Sequence, residues 1–90
     1  MKPIRFSPHA EANLKAREIA RQEAEHAICN PARREAVRPP RAIVTWPYYD
    51  KVTGERMLLR AVIEENESEI AVVTIYKTSK LQKYLPEGTK

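Results

Sequence analysis

Ninety residues, with 42% hydrophobic and 31% charged side chains, suffice for one small domain with a modest core and leave no room for several. Two glycines and no GxGxxG or GxxxxGKS/T pattern exclude the glycine-rich phosphate loops, and the single cysteine, Cys29, excludes an internal disulfide. No apolar signal-peptide core opens the chain and no apolar run approaches a membrane span, so a soluble, cytoplasmic protein without a membrane partner is expected.

Ile4-Arg5-Phe6 reads as a short extended segment. Ser7-Pro8 then starts a helix, because serine is a favoured N-cap and proline fits the first helical position, where its missing N–H is not needed. Glu11 falls in the first turns, where the helix dipole favours negative charge. This helix is predicted to run to about residue 17, with Ala10 and Leu14 on one side. A second is predicted from about Arg21 to Cys29, with Ala24, Ala27 and Ile28 as its apolar stripe. Asn30-Pro31 stops it, since the residue before proline avoids the helical region. The pair reads as an α-hairpin jointed around Ile19-Ala20.

Everything after Pro31 reads as β. Arg34–Val37 forms a short strand before the breaker Pro39-Pro40. Ala42–Tyr49 is β-branched and aromatic, and Pro47 within it predicts an edge position or a bulge. Asp50–Glu55 is a hairpin connection in which Gly54 supplies a positive φ. Glu55–Glu64 and Glu69–Lys77 are the strongest strands, joined by a turn at Glu65–Ser68. Thr78–Tyr84 is either a helical turn or a strand extension. The whole is one domain over residues 1–90.

The net charge of +4 is unevenly spread. Residues 31–62 hold seven Lys/Arg against three Asp/Glu, residues 63–69 hold four glutamates and no base, and residues 70–90 hold four lysines against one glutamate. The basic blocks suit one face and the acidic block a solvated turn. Alternation sets Met57, Leu59, Ala61 and Ile63 against Arg56, Leu58, Arg60 and Val62. In the last strand it sets Ala71, Val73 and Ile75 against Ile70, Val72, Thr74 and Tyr76. If the first set of each strand packs on the helices, Arg56, Arg60, Thr74 and Tyr76 share the open face. A one-residue slip would reverse this register.

Such a face suits a phosphate-rich partner. Cleavage of RNA through the ribose 2′-hydroxyl needs a proton acceptor, a cation for the developing phosphorane and a proton donor for the leaving oxygen. Arginine offers phosphate a bidentate fork. Arg56, Arg60, Tyr76, Lys77, Lys80 and Tyr84 are the candidate set, with Lys83 beside them in the basic tail. The plainer alternative pairs the arginines with Glu55 or the Glu64–Glu69 loop and leaves Tyr76 as a half-buried strand aromatic. His9, in the first helical turn, is usable as an acceptor or ligand, or simply bonds the neighbouring backbone. His26 and Cys29 lie three apart on one helix, but no CxxC or HExxH motif joins them, so neither a metal nor a cofactor is expected. Ser7, Ser68 and Ser79 lack any nucleophile-elbow context. Trp46, Tyr48 and Tyr49 are candidates for stacking on bases, but in so small a domain they are expected in core and edge packing.

His9-Ala10, Arg17-Glu18-Ile19-Ala20, Ala27-Ile28 and Asn30-Pro31, followed at the end by Val73-Thr74-Ile75-Tyr76 and a basic tail, resemble the small bacterial proteins of domain of unknown function 4258. The resemblance covers most of the chain and is weakest over residues 33–54. That family is similar to BrnT and, at fold level, to the RelE/ParE superfamily of toxins. The resemblance implies an α+β fold, an N-terminal α-hairpin packed on a three- to four-stranded antiparallel sheet with a short C-terminal basic tail. It also implies an antitoxin partner, action on RNA or the ribosome, and ribonuclease chemistry without a metal. His9, Arg17, Thr74 and Tyr76 match the family pattern, while Arg60, Lys77 and Lys80 rest on analogy with basic residues near the end of RelE-like sheets.

Two positions depart from the pattern. Asn13 stands where an arginine is frequent, which removes one phosphate contact. Glu18 stands where the corner usually has glycine, which predicts a less tight corner or helices that run on differently. The leading expectation is a toxin-like, RNA-binding protein that acts as a metal-independent ribonuclease through Arg60, Tyr76, Lys77 and His9. Arg17, Arg56, Thr74, Lys80, Lys83 and Tyr84 are then its RNA contacts. The alternative is a non-catalytic module that binds a protein or nucleic acid through the same face. Self-association is left open by either.

Overall fold

The computed structural model describes residues 2–50 and 53–80. Its elements are β1 (Ile4–Phe6), α1 (Pro8–Ala16), α2 (Arg21–Cys29), β2 (Arg33–Ala36), β3 (Arg41–Asp50), β4 (Glu55–Glu65) and β5 (Ile70–Thr78). The strands form one sheet in the order β1-β5-β4-β3-β2, with β1 parallel to β5 and the other neighbours antiparallel. The fold is α+β as expected, but the sheet is five-stranded and mixed rather than three- to four-stranded and antiparallel. Ile4 pairs with Ile70, a partner so distant along the chain that no local pattern marks it.

The N-cap of α1 does two jobs. The Ser7 hydroxyl accepts from the Ala10 N–H at 3.0 Å and donates to the Val73 carbonyl at 2.9 Å, while the Ser7 N–H donates to the Val72 carbonyl at 3.0 Å. The helix start is thereby fastened to β5. At the other end, the Ile19 N–H donates to the Leu14 carbonyl (2.9 Å) and the Glu18 N–H to the Lys15 carbonyl (3.3 Å). Glu18 has φ 54°. This is the Schellman pattern, with the buried Ile19 closing the joint. The corner therefore stays tight without glycine, contrary to expectation, because Glu18 itself takes the left-handed conformation at a cost of about 1–2 kcal/mol.

Both halves of β3 follow from its neighbours. β2 pairs only with residues 42–45 of β3, so Pro47 lies where, among the described residues, that side of the strand has no partner, an edge position as its missing N–H requires. The hairpin to β4 is closed by the Gly54 N–H donating to the Asp50 carbonyl at 2.7 Å, with Gly54 at φ 74°.

The two helices cover one face of the sheet. Ala10, Leu14, Ile19, Ala24, Ala27 and Ile28 meet Leu59, Ala61 and Ile63 of β4 and Ile70, Val72 and Ile75 of β5. The last strand corrects the alternation read from sequence. Ile63 pairs with Val72 but Val62 with Thr74, so Val73 is an extra residue and the pattern shifts at that bulge. Before the bulge Ile70 and Val72 point at the helices; after it Ile75 does.

Candidate functional site

The face of the sheet away from the helices is defined by register. Leu59, Ala61 and Ile63 are in the core, so Arg56, Leu58, Arg60 and Val62 project to the opposite side together with their cross-strand partners. In rows across the sheet these are Arg56 with Tyr49, Leu58 with Pro47 and Thr78, Arg60 with Thr45 and Tyr76, and Val62 with Ile43 and Thr74. Arg33 and Glu35 of β2 join the last two rows. The expected sharing of one face by Arg56, Arg60, Thr74 and Tyr76 is found in the register, although the Thr74 hydroxyl turns to Asn13 of α1 at the strand edge.

Arg60 is the hub. Its Nη1 donates to the Tyr76 hydroxyl at 2.7 Å, its Nε to Thr45 Oγ1 at 3.3 Å and its Nη2 to Glu35 Oε1 at 3.4 Å. The guanidinium carbon lies 5.9 Å from the centre of the Tyr76 ring. Arg33 Nη2 approaches the other oxygen of Glu35 at 3.4 Å. Arg60 is only 8% exposed, and Thr45 and Leu58 beside it are fully buried. Arg56 and Tyr49, two rows away, are both exposed. Glu35 and Thr45 thus enter the site although sequence reasoning left them out of it, and Tyr49, a candidate for base stacking, joins them. Glu35 alternates in step with Arg33 in a strand too short to reveal its face. Tyr49 was expected in edge packing.

Other predicted residues fall elsewhere. Lys77 pairs with Leu59 and so faces the helices, where its ammonium holds Asp50 Oδ2 at 2.7 Å; Asp50 is 3% exposed. Ordinary alternation along the strand puts Lys77 on the face opposite Tyr76. Thr74 donates its hydroxyl to Asn13 Oδ1 at 2.8 Å, and the same oxygen accepts from the Ile75 N–H at 3.3 Å. Asn13, read as a lost phosphate contact, is a side-chain cap on the free edge of β5 beyond β1. His9 is exposed on α1 and Arg17 at its C-cap, both in the helical layer. Lys80 is exposed just past β5. Lys83 and Tyr84 lie outside the described residues.

The acidic loop is paired rather than merely solvated. Glu64 holds Arg41 at 2.6 Å, Glu65 holds both Lys2 and Arg34 at 2.8 Å, and Glu69 holds Arg5 at 2.8 Å. The hydrogen bonds from Lys2 and Arg34 lower the Glu65 carboxyl below its ordinary range, and that from Arg5 does the same for Glu69. Within the helix-facing layer, Tyr48 and Trp46 pack against the core, Trp46 also meeting the His26 ring edge-on at 4.8 Å. The Tyr48 hydroxyl is buried without a hydrogen-bond partner among the described residues. Its burial, aided by the charges of Asp50 and Glu23, pushes its pKa up to about 12. Among the described residues no group of three or more His, Cys, Asp or Glu is placed to hold a metal ion, and no helix is long and apolar enough to cross a membrane.

Residues 6–77 match the family described as Domain of unknown function (DUF4258). The chain belongs to this family. Neither the curated proteins nor the solved structures contain a match. The span matched to DUF4258 takes in both helices, Arg33, Glu35, Tyr49, Arg56, Arg60 and Tyr76, so the whole open-face grouping lies within it; Lys80 lies beyond it.

Proposed function

We propose that this protein is a toxin-like member of a toxin–antitoxin pair that binds RNA, free or on the ribosome, through the open face of its sheet. The observation that carries this reading is the joining of Arg60 to the Tyr76 hydroxyl on the same face as the exposed Arg56. A cationic row flanked by aromatic groups recognises phosphate and base together. The fold-level likeness to BrnT and RelE-type toxins belongs to the same proposal.

The grouping also has the parts for RNA cleavage without a metal. In that step the ribose 2′-oxygen bonds to phosphorus and the bond to the 5′-oxygen breaks, leaving a cyclic phosphate. Glu35 would accept the 2′-hydroxyl proton, Arg60 would offset the charge on the phosphorane oxygens, and Tyr76 would return a proton to the departing 5′-oxygen. Expression without an antitoxin should arrest bacterial growth, and Arg60→Ala with Tyr76→Phe should relieve the arrest. Unimpaired growth with soluble, folded wild-type protein would contradict the reading.

One observation favours a second reading. Arg60 is 8% exposed and each of its nitrogens already serves a protein acceptor, which suits a residue that shapes a binding face without touching the reacting phosphate. On that reading the protein binds RNA, or a protein such as an antitoxin, and cuts nothing. Purified protein incubated with RNA over a salt series separates the two, because cleavage products appear only under the first.

A further inference from the structure

Three aromatic residues follow one another closely at the end of β3, and the structure treats them differently. Trp46 and Tyr48 point into the helix-facing core, whereas Tyr49 is 62% exposed on the opposite face. Its cross-strand partner is Arg56, itself exposed and, among the described residues, joined to no acceptor. The Tyr49 hydroxyl lies over the hairpin, where a Cβ on Gly54 would come within 3.7 Å of it. An aromatic ring and a guanidinium side by side on an open strand pair expose apolar area that packs against nothing in the described fold. They lie about 13 Å along the strands from the Arg60–Tyr76 row, four residues at roughly 3.3 Å each.

We propose that Tyr49 and Arg56 form a base-stacking platform for single-stranded RNA, with the base lying on the Tyr49 ring and the adjoining phosphate held by Arg56. The proposal rests on the nucleic-acid reading above and adds the residues that grip the strand. Charge complementarity selects the occupant. The open face carries Arg33, Arg56 and Arg60 against Glu35 between its hairpin end and its centre, and an exposed tyrosine beside an exposed arginine offers both a π-face and a cation to an unpaired nucleotide. A double helix keeps its bases stacked on each other and would leave the ring unused. Stacking is indifferent to salt and phosphate contact is not, so the two residues leave different signatures.

The test is fluorescence anisotropy of a labelled, mixed-sequence, single-stranded oligoribonucleotide against the full chain over a salt series. Tyr49→Ala should weaken binding about five- to 150-fold with the salt slope unchanged, and Tyr49→Trp should restore it. Arg56→Ala should lower the magnitude of the slope by about 0.7. Tyr49→Ala binding within twofold of wild type, or Tyr49→Trp as weak as Tyr49→Ala, overturns the platform. If wild type still binds with a salt slope in that case, the broader reading of the face stands. Wild-type protein that binds no RNA overturns both.

Discussion

The two ends of the sheet handle charge in opposite ways. At the Glu64–Glu69 end each of Glu64, Glu65 and Glu69 has a basic partner, and every one of those pairs is exposed or half-exposed. At the hairpin end one ion pair, Lys77 with Asp50, is buried beneath the helices, while Arg56 and Tyr49 on the other side face solvent. Surface pairs neutralise each other and contribute little, and a buried pair is structural because neither partner can lose the other. A cation left exposed beside an aromatic ring is available to a ligand. The count of lysines and arginines therefore overstates the binding face, since Lys2, Arg5, Arg34 and Arg41 are all occupied at one end.

The largest effect should come from breaking the buried pair. Lys77→Met takes the ammonium away from the buried Asp50 carboxylate and should destabilise the fold by roughly 3–5 kcal/mol in urea denaturation, whereas Arg5→Ala at the opposite end should leave stability near wild type. Equal losses would erase the distinction between the ends. Next, Asn13→Ala strands the Ile75 N–H and the Thr74 hydroxyl and should cost about 1–3 kcal/mol.

Tyr48→Phe should be neutral or stabilising by about 1 kcal/mol, because it removes a buried hydroxyl that bonds nothing among the described residues. The same residue gives an alkaline signature. Its folded pKa is raised from 10.0 to about 12, so the folded state holds the proton more tightly. That contribution is complete below pH 10 and is lost as the pH rises toward 12; Tyr48→Phe should flatten this limb of the stability profile. Glu65 and Glu69 act at the other extreme. Their folded pKa values are lowered, so their contribution is present above the ordinary carboxylate range and disappears as the pH falls through the lowered values. The smallest change, Glu18→Gly, relieves the left-handed corner and should stabilise by about 0.5–1 kcal/mol against the entropy that glycine adds to the unfolded chain.

Much of this was legible in the residues. Ser7-Pro8, Asn30-Pro31, Pro47 and Gly54 each carry a backbone constraint that acts locally, and the helices, the edge position and the hairpin appear where those residues put them. Arg60 with Tyr76 was legible because Glu55–Glu65 alternates without interruption. What escaped depends on distant partners. The parallel pairing of β1 is fixed by contacts with residues far along the chain. The bulge at Val73 is anchored by Ser7 of α1, and an apolar run such as Ile70–Ile75 carries no sign of it. That displacement turned Ile70 and Val72 toward the helices, whereas Lys77 is on the helix side by simple alternation with Tyr76 and there meets Asp50. Tyr49 escaped for a related reason: β2 stops short of it and no helix covers its side of the strand.

The most direct test of the open hairpin end as the binding surface compares two arginines of the same sheet face in RNA titrations across a salt series. Arg56, beside Tyr49 and without an acceptor among the described residues, should lower the magnitude of the log–log salt slope by about 0.7 when changed to alanine. Arg41, paired with Glu64 at the far end, should leave both slope and affinity near wild type in Arg41→Ala. A slope that falls equally in both variants, or only in Arg41→Ala, would contradict the account.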